Sequence, residues 1–129
     1  MTQKSEIGEF GENAAAEYLV DKGYKIIERN HRQKWGELDI IALSPRRQRL
    51  DPLGRSRALV FVEVKTVSGE NPTITAENQM TSQKIKKTKR TAYLYANANK
   101  ELSQSGWQVD MIAVNVVGGR PHIKHYENI

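Results

Sequence analysis

Leu59-Val60-Phe61-Val62-Glu63-Val64-Lys65 decides the fold: it is apolar and β-branched on both faces until its end, as expected of a strand central to a covered sheet. Side chains alternate along a strand, so Phe61, Glu63 and Lys65 share one face while Val60, Val62 and Val64 take the other. Glu63 and Lys65 are then neighbours, about 7 Å apart along the strand. Ionised groups inside such a run cost several kcal/mol to desolvate unless they are paired or bound to a metal.

Upstream, Leu38-Asp39-Ile40-Ile41-Ala42-Leu43 reads as a second strand with one carboxylate inside it. If the two strands pair, Asp39 and Glu63 converge. Carboxylates that share a site repel one another and one is driven to protonate, unless a divalent cation lies between them. Magnesium fits, because it takes oxygen ligands from one or two carboxylates and keeps waters for substrate phosphates. The metal would activate a bound water while Lys65 positions the nucleophile or stabilises developing charge, the parts phosphodiester hydrolysis needs. The alternative is a buried ion pair, Glu63 with Lys65 or Asp39 with Lys65, without catalytic role; spacing leaves both open.

Around this centre, Ile7, Phe10, Ala14, Tyr18 and Leu19 lay an apolar stripe on a helix that Gly23 stops. Tyr24 to Asn30 reads as a strand, and the polar stretch His31 to Gly36 as the turn that makes a hairpin with the Asp39 strand. Residues 44–57 hold two prolines and five arginines and read as a long mobile connection. Thr66 to Thr75 is a loop. Thr81 to Ala98 returns to helical period through Ile85, Ala92, Tyr93 and Ala96. Two strands, Trp107 to Val117 and His122 to Tyr126, flank the turn signal Gly118-Gly119.

The chain of 129 residues is sized for one domain with one core. With no cysteine, disulfides, thiolate zinc sites and a cysteine nucleophile are excluded. No apolar run reaches membrane-spanning length and the N-terminus has no export signal, so the expected location is cytoplasmic. Twenty Lys and Arg against 15 Asp and Glu give a net charge of +5, which suits a polyanionic partner without requiring one.

Lys84, Lys86, Lys87, Lys89 and Arg90 crowd one helix, either as a solvated face or as phosphate contacts. His122 and His125, three apart on a strand, point to opposite faces and read as surface residues. Trp35 and Trp107, at strand edges, read as core residues, with base stacking as the alternative. Asp110 reads either as a partner of the site or as a structural acceptor.

Gly36-Glu37-Leu38-Asp39-Ile40-Ile41 followed by Val60-Phe61-Val62-Glu63-Val64-Lys65 resembles the D…ExK signature of the restriction-endonuclease-like, PD-(D/E)xK nuclease superfamily. More closely it resembles the YraN family of uncharacterised bacterial proteins, akin to archaeal Holliday junction resolvases. Gly8, Gly11-Glu12, Ala16, Asn30, Thr81-x-x-Lys84, Ala92-Tyr93-Leu94 and Val109-Asp110 extend the match over nearly the whole chain. The resemblance implies a three-layer α/β/α domain with a mixed central sheet, metal ligands Asp39 and Glu63, and Lys65 as catalytic lysine. It also implies an additional acidic ligand at Glu12, for which a solvated glutamate is the competing reading and Glu9 the competing candidate.

Three departures stand out. The connection at 44–57 is longer than the family's, although Arg46 and Arg47 could reach a nucleic-acid backbone. Gln108 stands where the family has an arginine. Ser68-Gly69-Glu70-Asn71-Pro72 replaces an aromatic-glycine segment. None removes a catalytic residue.

The reading is a single α/β domain and a magnesium-dependent endonuclease, with manganese able to substitute, acting on DNA and in particular on branched or structured DNA. Lys84, Lys87, Arg46 and Arg47 are the expected nucleic-acid contacts. The competing class is a nucleic-acid-binding or assembly module that keeps the fold without turnover. Resolvases act as dimers because a four-way junction presents two symmetry-related scissile strands. A homodimer, or a protein partner in DNA repair, recombination or uptake, therefore stays open, with no interface legible in the sequence.

Overall fold

The run from Leu59 lies at the middle of the sheet, as its apolar faces require. The structure is a computed structural model that describes residues 3–45, 57–69 and 75–129. These form α1 (Gln3–Asp21), β1 (Lys25–Gln33), β2 (Gly36–Leu43), β3 (Leu59–Ser68), a 3-10 turn (Glu77–Gln79), α2 (Ser82–Ala98), β4 (Trp107–Val117) and β5 (Arg120–Tyr126). The sheet runs β1-β2-β3-β4-β5, with β3 and β4 parallel and every other pair antiparallel. The parallel pair follows from the crossover through α2. Most of the connection at 44–57, including Arg46 and Arg47, lies outside the described residues; Arg57 donates from Nε to the Ser44 carbonyl at 2.8 Å.

The two helices cover opposite faces. Val60, Val62 and Val64 pack with Ala15, Ala16 and Leu19 of α1, whereas Phe61 packs with Ala92 and Ala96 of α2. The buried side of α1 keeps Leu19 of the stripe, with Tyr18 packed beside the core, but not Phe10, which is 44% exposed; Gly11 and Ala15 face the sheet in its place. Small residues carry this contact because the helix lies very close to β3. A Cβ added at Gly11 would sit 1.8 Å from Thr66 Oγ1. Gly11→Ala is therefore expected to destabilise the protein by about 1–3 kcal/mol, read by urea titration; an unchanged midpoint would mean that Thr66 can move aside.

The β1–β2 hairpin is longer than the polar stretch His31 to Gly36 predicts, with pairing carried out to Gln33↔Gly36 and a tip made of Lys34-Trp35. Midway the hairpin rolls over. Asn30 takes a left-handed conformation at φ 55°, which asparagine tolerates better than most residues. Leu38 belongs to the α2 side of the core and Ile40 to the α1 side, although residues two apart on a regular strand share a face. On β1, Arg29 likewise reaches Asn13 on α1 while His31 meets the Tyr95 ring on α2. At the same place the β2–β3 ladder ends, at Ile40↔Val62. Beyond it the hairpin leans on α2, so closely that a Cβ at Gly36 would lie 2.2 Å from Thr91 Oγ1.

At the other edge, Gly118 and Gly119 adopt φ of 58° and 75°, the signs a two-residue hairpin turn demands. His125 is not a surface residue: its side chain is 9% exposed and its Nε2 meets Asp110 Oδ2 at 2.7 Å. Asp110, wholly buried, also accepts from Gln108 Nε2 at 2.8 Å and from the Asn128 backbone N–H at 2.9 Å. It is thus a structural acceptor that ties β4 to β5 and the C-terminus. Asp110→Ala strands these donors and is expected to lower stability by about 3 kcal/mol or more, measurable as a fall in melting temperature. An unchanged melting temperature would show that this network adds nothing to stability. Among the described residues, no helix is long and apolar enough to cross a membrane.

Candidate metal and phosphate site

The site grows from the point where β2 leaves β3. Once the ladder has ended, the next inward-facing amide of β3 has no strand partner, and Asp39 supplies one: Val64 N–H donates to Asp39 Oδ2 at 2.8 Å. This bond fixes the carboxylate beside Glu63 and Lys65, which lie on the α2 face of β3. Lys65 Nζ stands 3.6 Å from Glu63 Oε1, with side chains 25% and 16% exposed.

Burial first, and then the charge of Asp39, push the Glu63 carboxyl up to about 8; Lys65 opposes the shift. Asp39 is also raised, by burial, against the Val64 amide, a hydrogen bond with Glu63 and the Lys65 charge. The charge of Asp39 thus bears directly on Glu63. Without a cation, the raised Glu63 carboxyl favours its protonated form. The neighbouring ammonium alone does not offset the second negative charge.

Two clefts meet at Asp39 and Lys65. The larger, about 1150 Å³, runs along α1 past Glu12, Arg29, Asn30 and Arg32. The smaller, about 420 Å³, runs beneath α2 and is lined by Glu63, Lys34, Lys84, Lys87 and Thr91 among others. Lys84, Lys87, Thr88 and Thr91 recur at helical spacing on one side of α2, so the cleft selects Lys84 and Lys87 from the basic cluster; Lys86, Lys89 and Arg90 are exposed and do not line it. Thr81 caps this helix by accepting from Lys84 N–H at 3.2 Å.

Glu12 lines the larger cleft with Asp39 but is held by Arg29, whose Nε lies 3.2 Å from its Oε1. Burial raises its carboxyl, as does the charge of Asp39, while Arg29 and Asn30 lower it. Glu12 thus faces the site electrically without joining the Asp39–Glu63 pair. Among the described residues, no three His, Asp or Glu side chains gather into a metal-holding group. The donors present are two carboxylates, hard oxygen ligands with unbalanced charge. That set fits magnesium, which needs no more than one or two protein carboxylates and completes its octahedron with water.

Sequence reasoning missed Arg29 and the Val64 amide. Asn30, a left-handed-tolerant residue in the middle of a strand, was the available signal for the roll that places Asp39. Trp35 and Trp107, both read as core, are 49% and 37% exposed; Trp107 packs edge to face with Phe61, centroids 5.9 Å apart, while Trp35 stands at the hairpin tip.

A family model described as "Uncharacterised protein family UPF0102" matches residues 11–114. The chain belongs to the UPF0102 family. This is the YraN grouping that the motifs resemble. A UPF0102 protein of Chloroflexus aurantiacus is 34% identical over 99% of this chain and 92% of its own length. One of Desulforamulus reducens is 35% identical over 98% and 96%, and one of Mycobacterium tuberculosis 33% identical over 96% and 91%. The UPF0102 match takes in Glu12, Asp39, Glu63, Lys65, Lys84 and Lys87, so the smaller cleft and most of the larger lie inside the family's shared region.

Proposed function

We propose that this protein is a magnesium-dependent endonuclease of restriction-endonuclease-like fold that hydrolyses phosphodiester bonds in DNA. The observation that carries this reading is the Asp39–Glu63 pair: two half-buried carboxylates, with Lys65 3.6 Å from Glu63, at the meeting of two open clefts. A purely structural ion pair would balance one carboxylate against one ammonium.

Asp39 and Glu63 would hold the metal, Asp39 being oriented by the Val64 amide. Bound magnesium lowers the pKa of a coordinated water and withdraws charge from the phosphate. Lys65 lines both clefts, and its ammonium would stabilise negative charge building on a phosphate and its leaving oxygen there. Lys84 and Lys87 supply positive charge along the smaller cleft and would position the backbone rather than react. Glu12, held by Arg29, would add negative charge at the edge of the site.

Labelled duplex, single-stranded, flap and four-way-junction DNAs incubated with magnesium or manganese test the reading. Cutting that needs the metal and disappears in Glu63→Ala and Lys65→Ala is the expected result. A second reading, a non-catalytic nucleic-acid-binding module, draws on the lack of a third acidic ligand among the described residues. It requires that the wild type bind DNA equally in chelator and in magnesium, and cut nothing.

A further inference from the structure

The β1–β2 hairpin does more than deliver Asp39. After the ladder to β3 ends at Ile40↔Val62, its outer pairs His31↔Leu38, Arg32↔Glu37 and Gln33↔Gly36 carry it out to the Lys34-Trp35 tip. Gln33, Lys34 and Gly36 line the same cleft as Glu63, Lys65, Lys84 and Lys87. Trp35 stands between them, 49% exposed, although an indole is among the costliest side chains to leave in water. The tip is not loosely placed, since Gly36 is buried against Thr91 of α2. A large aromatic group is thus held in the open between two residues that line a cleft carrying four lysines, Lys34, Lys65, Lys84 and Lys87.

An aromatic ring set among cations is the arrangement that binds single-stranded nucleic acid, the ring stacking on a base while the cations meet the backbone. Inside a continuous duplex each base face is covered by its neighbours. Only an unpaired base or a duplex end offers a face to Trp35. Four residues of strand separate Trp35 from Asp39, about 13 Å at strand rise, which spans about four nucleotides of a stacked strand.

Resting on the nuclease reading above, we propose that Trp35 is a specificity-determining residue that stacks on an unpaired or terminal base within about four nucleotides of the cut. The substrate class is then DNA with a paired-to-unpaired discontinuity close to the scissile phosphate. Continuous duplex is a poor substrate.

The test uses the full chain. Trp107→Phe leaves Trp35 as the remaining tryptophan of the two, and adding Glu63→Gln prevents turnover during titration. Duplex with a single-stranded tail is expected to quench this tryptophan, whereas a relaxed, covalently closed circular duplex, which has neither ends nor unpaired bases, leaves it unchanged. In cleavage, Trp35→Ala is expected to lose about tenfold of its preference for tailed over closed duplex, and Trp35→Phe, which keeps a stacking face, to retain most of it. Equal quenching by both DNAs, or an unchanged preference in Trp35→Ala, overturns the inference and leaves the nuclease reading standing. If no form of the protein binds or cuts any DNA, the nuclease reading fails and this inference fails with it.

Discussion

Lys65→Ala is expected to lower metal-dependent DNA cleavage by about 10²–10³-fold while leaving DNA binding nearly unchanged. Lys65 stands 3.6 Å from Glu63 and lines both clefts at their junction. A positive charge there has most to act on when negative charge builds during reaction, so its removal should appear in the rate of the chemical step. Lys84→Ala combined with Lys87→Ala should behave in the opposite way, weakening binding and flattening its salt dependence with a smaller change in the rate of bound substrate. Single-turnover cleavage at saturating protein separates the two. A Lys65→Ala enzyme that binds poorly but cuts at the wild-type rate once saturated would assign Lys65 to the phosphate grip instead.

The second large effect concerns stability and its response to pH. Glu63 has a reference value of 4.5 and is pushed up to about 8 in the folded protein, first by burial and then by Asp39. The folded state therefore holds a proton that the unfolded chain has released between these values. Its stabilising contribution is complete below the unfolded value and is lost as pH rises through about 8. Without divalent metal, stability should fall from about pH 5 to about pH 8, by at most about 1.4 kcal/mol per pH unit from this group. Glu77, lowered by its bonds with Asn115 and Tyr126 although slight burial opposes them, acts in the other direction and only below this window. Glu63→Gln carries no charge and should flatten the slope, melting higher than wild type near pH 8.

Magnesium should reverse that ranking, because it would take the place of the proton on Glu63. Added near pH 8 it is expected to raise the wild-type melting temperature and to leave Glu63→Gln almost unmoved; near pH 5 both should respond little. Melting curves in chelator and in magnesium across the range decide the matter. A wild-type stability that climbs from about pH 5 to about pH 8, or an equal magnesium response in Glu63→Gln, would remove the coupled pair as a metal site.

The strands were legible because β-branched residues and period-two alternation report both element and face. That is why Val60, Val62 and Val64 separated correctly from Phe61, Glu63 and Lys65. α1 was legible as a helix but not in its orientation. Hydrophobicity singles out Phe10, whereas contact with the sheet is set by Gly11 and Ala15, which approach closely because they are small. His125 was misread because alternation gives a face, not what covers it; Tyr18 and Asp110 cover it. Lys84 stood out through the motif match; the helical spacing that sets Lys87 beside it on the smaller cleft emerged only in the structure. The roll at Asn30 and Asp39 was not legible, since its cause is a departure from the regular geometry on which face assignment rests.

That roll also divides the hairpin into two thermal regimes. From Ile40 to Leu43, β2 is bonded on both edges, to β1 and to β3. From Gly36 to Leu38 its ladder partner is β1 alone. Backbone amides in the outer arm are therefore released from protection by openings that leave the sheet intact, and they should exchange with solvent deuterium well before those of Ile41 and Ala42. Asp39 lies on the seam, with its own strand at the start of the labile arm and its side chain bonded to the rigid centre through Val64. The carboxylate is thus tied to β3, whereas the outer arm is held by β1 and by the packing of Gly36 against Thr91 of α2.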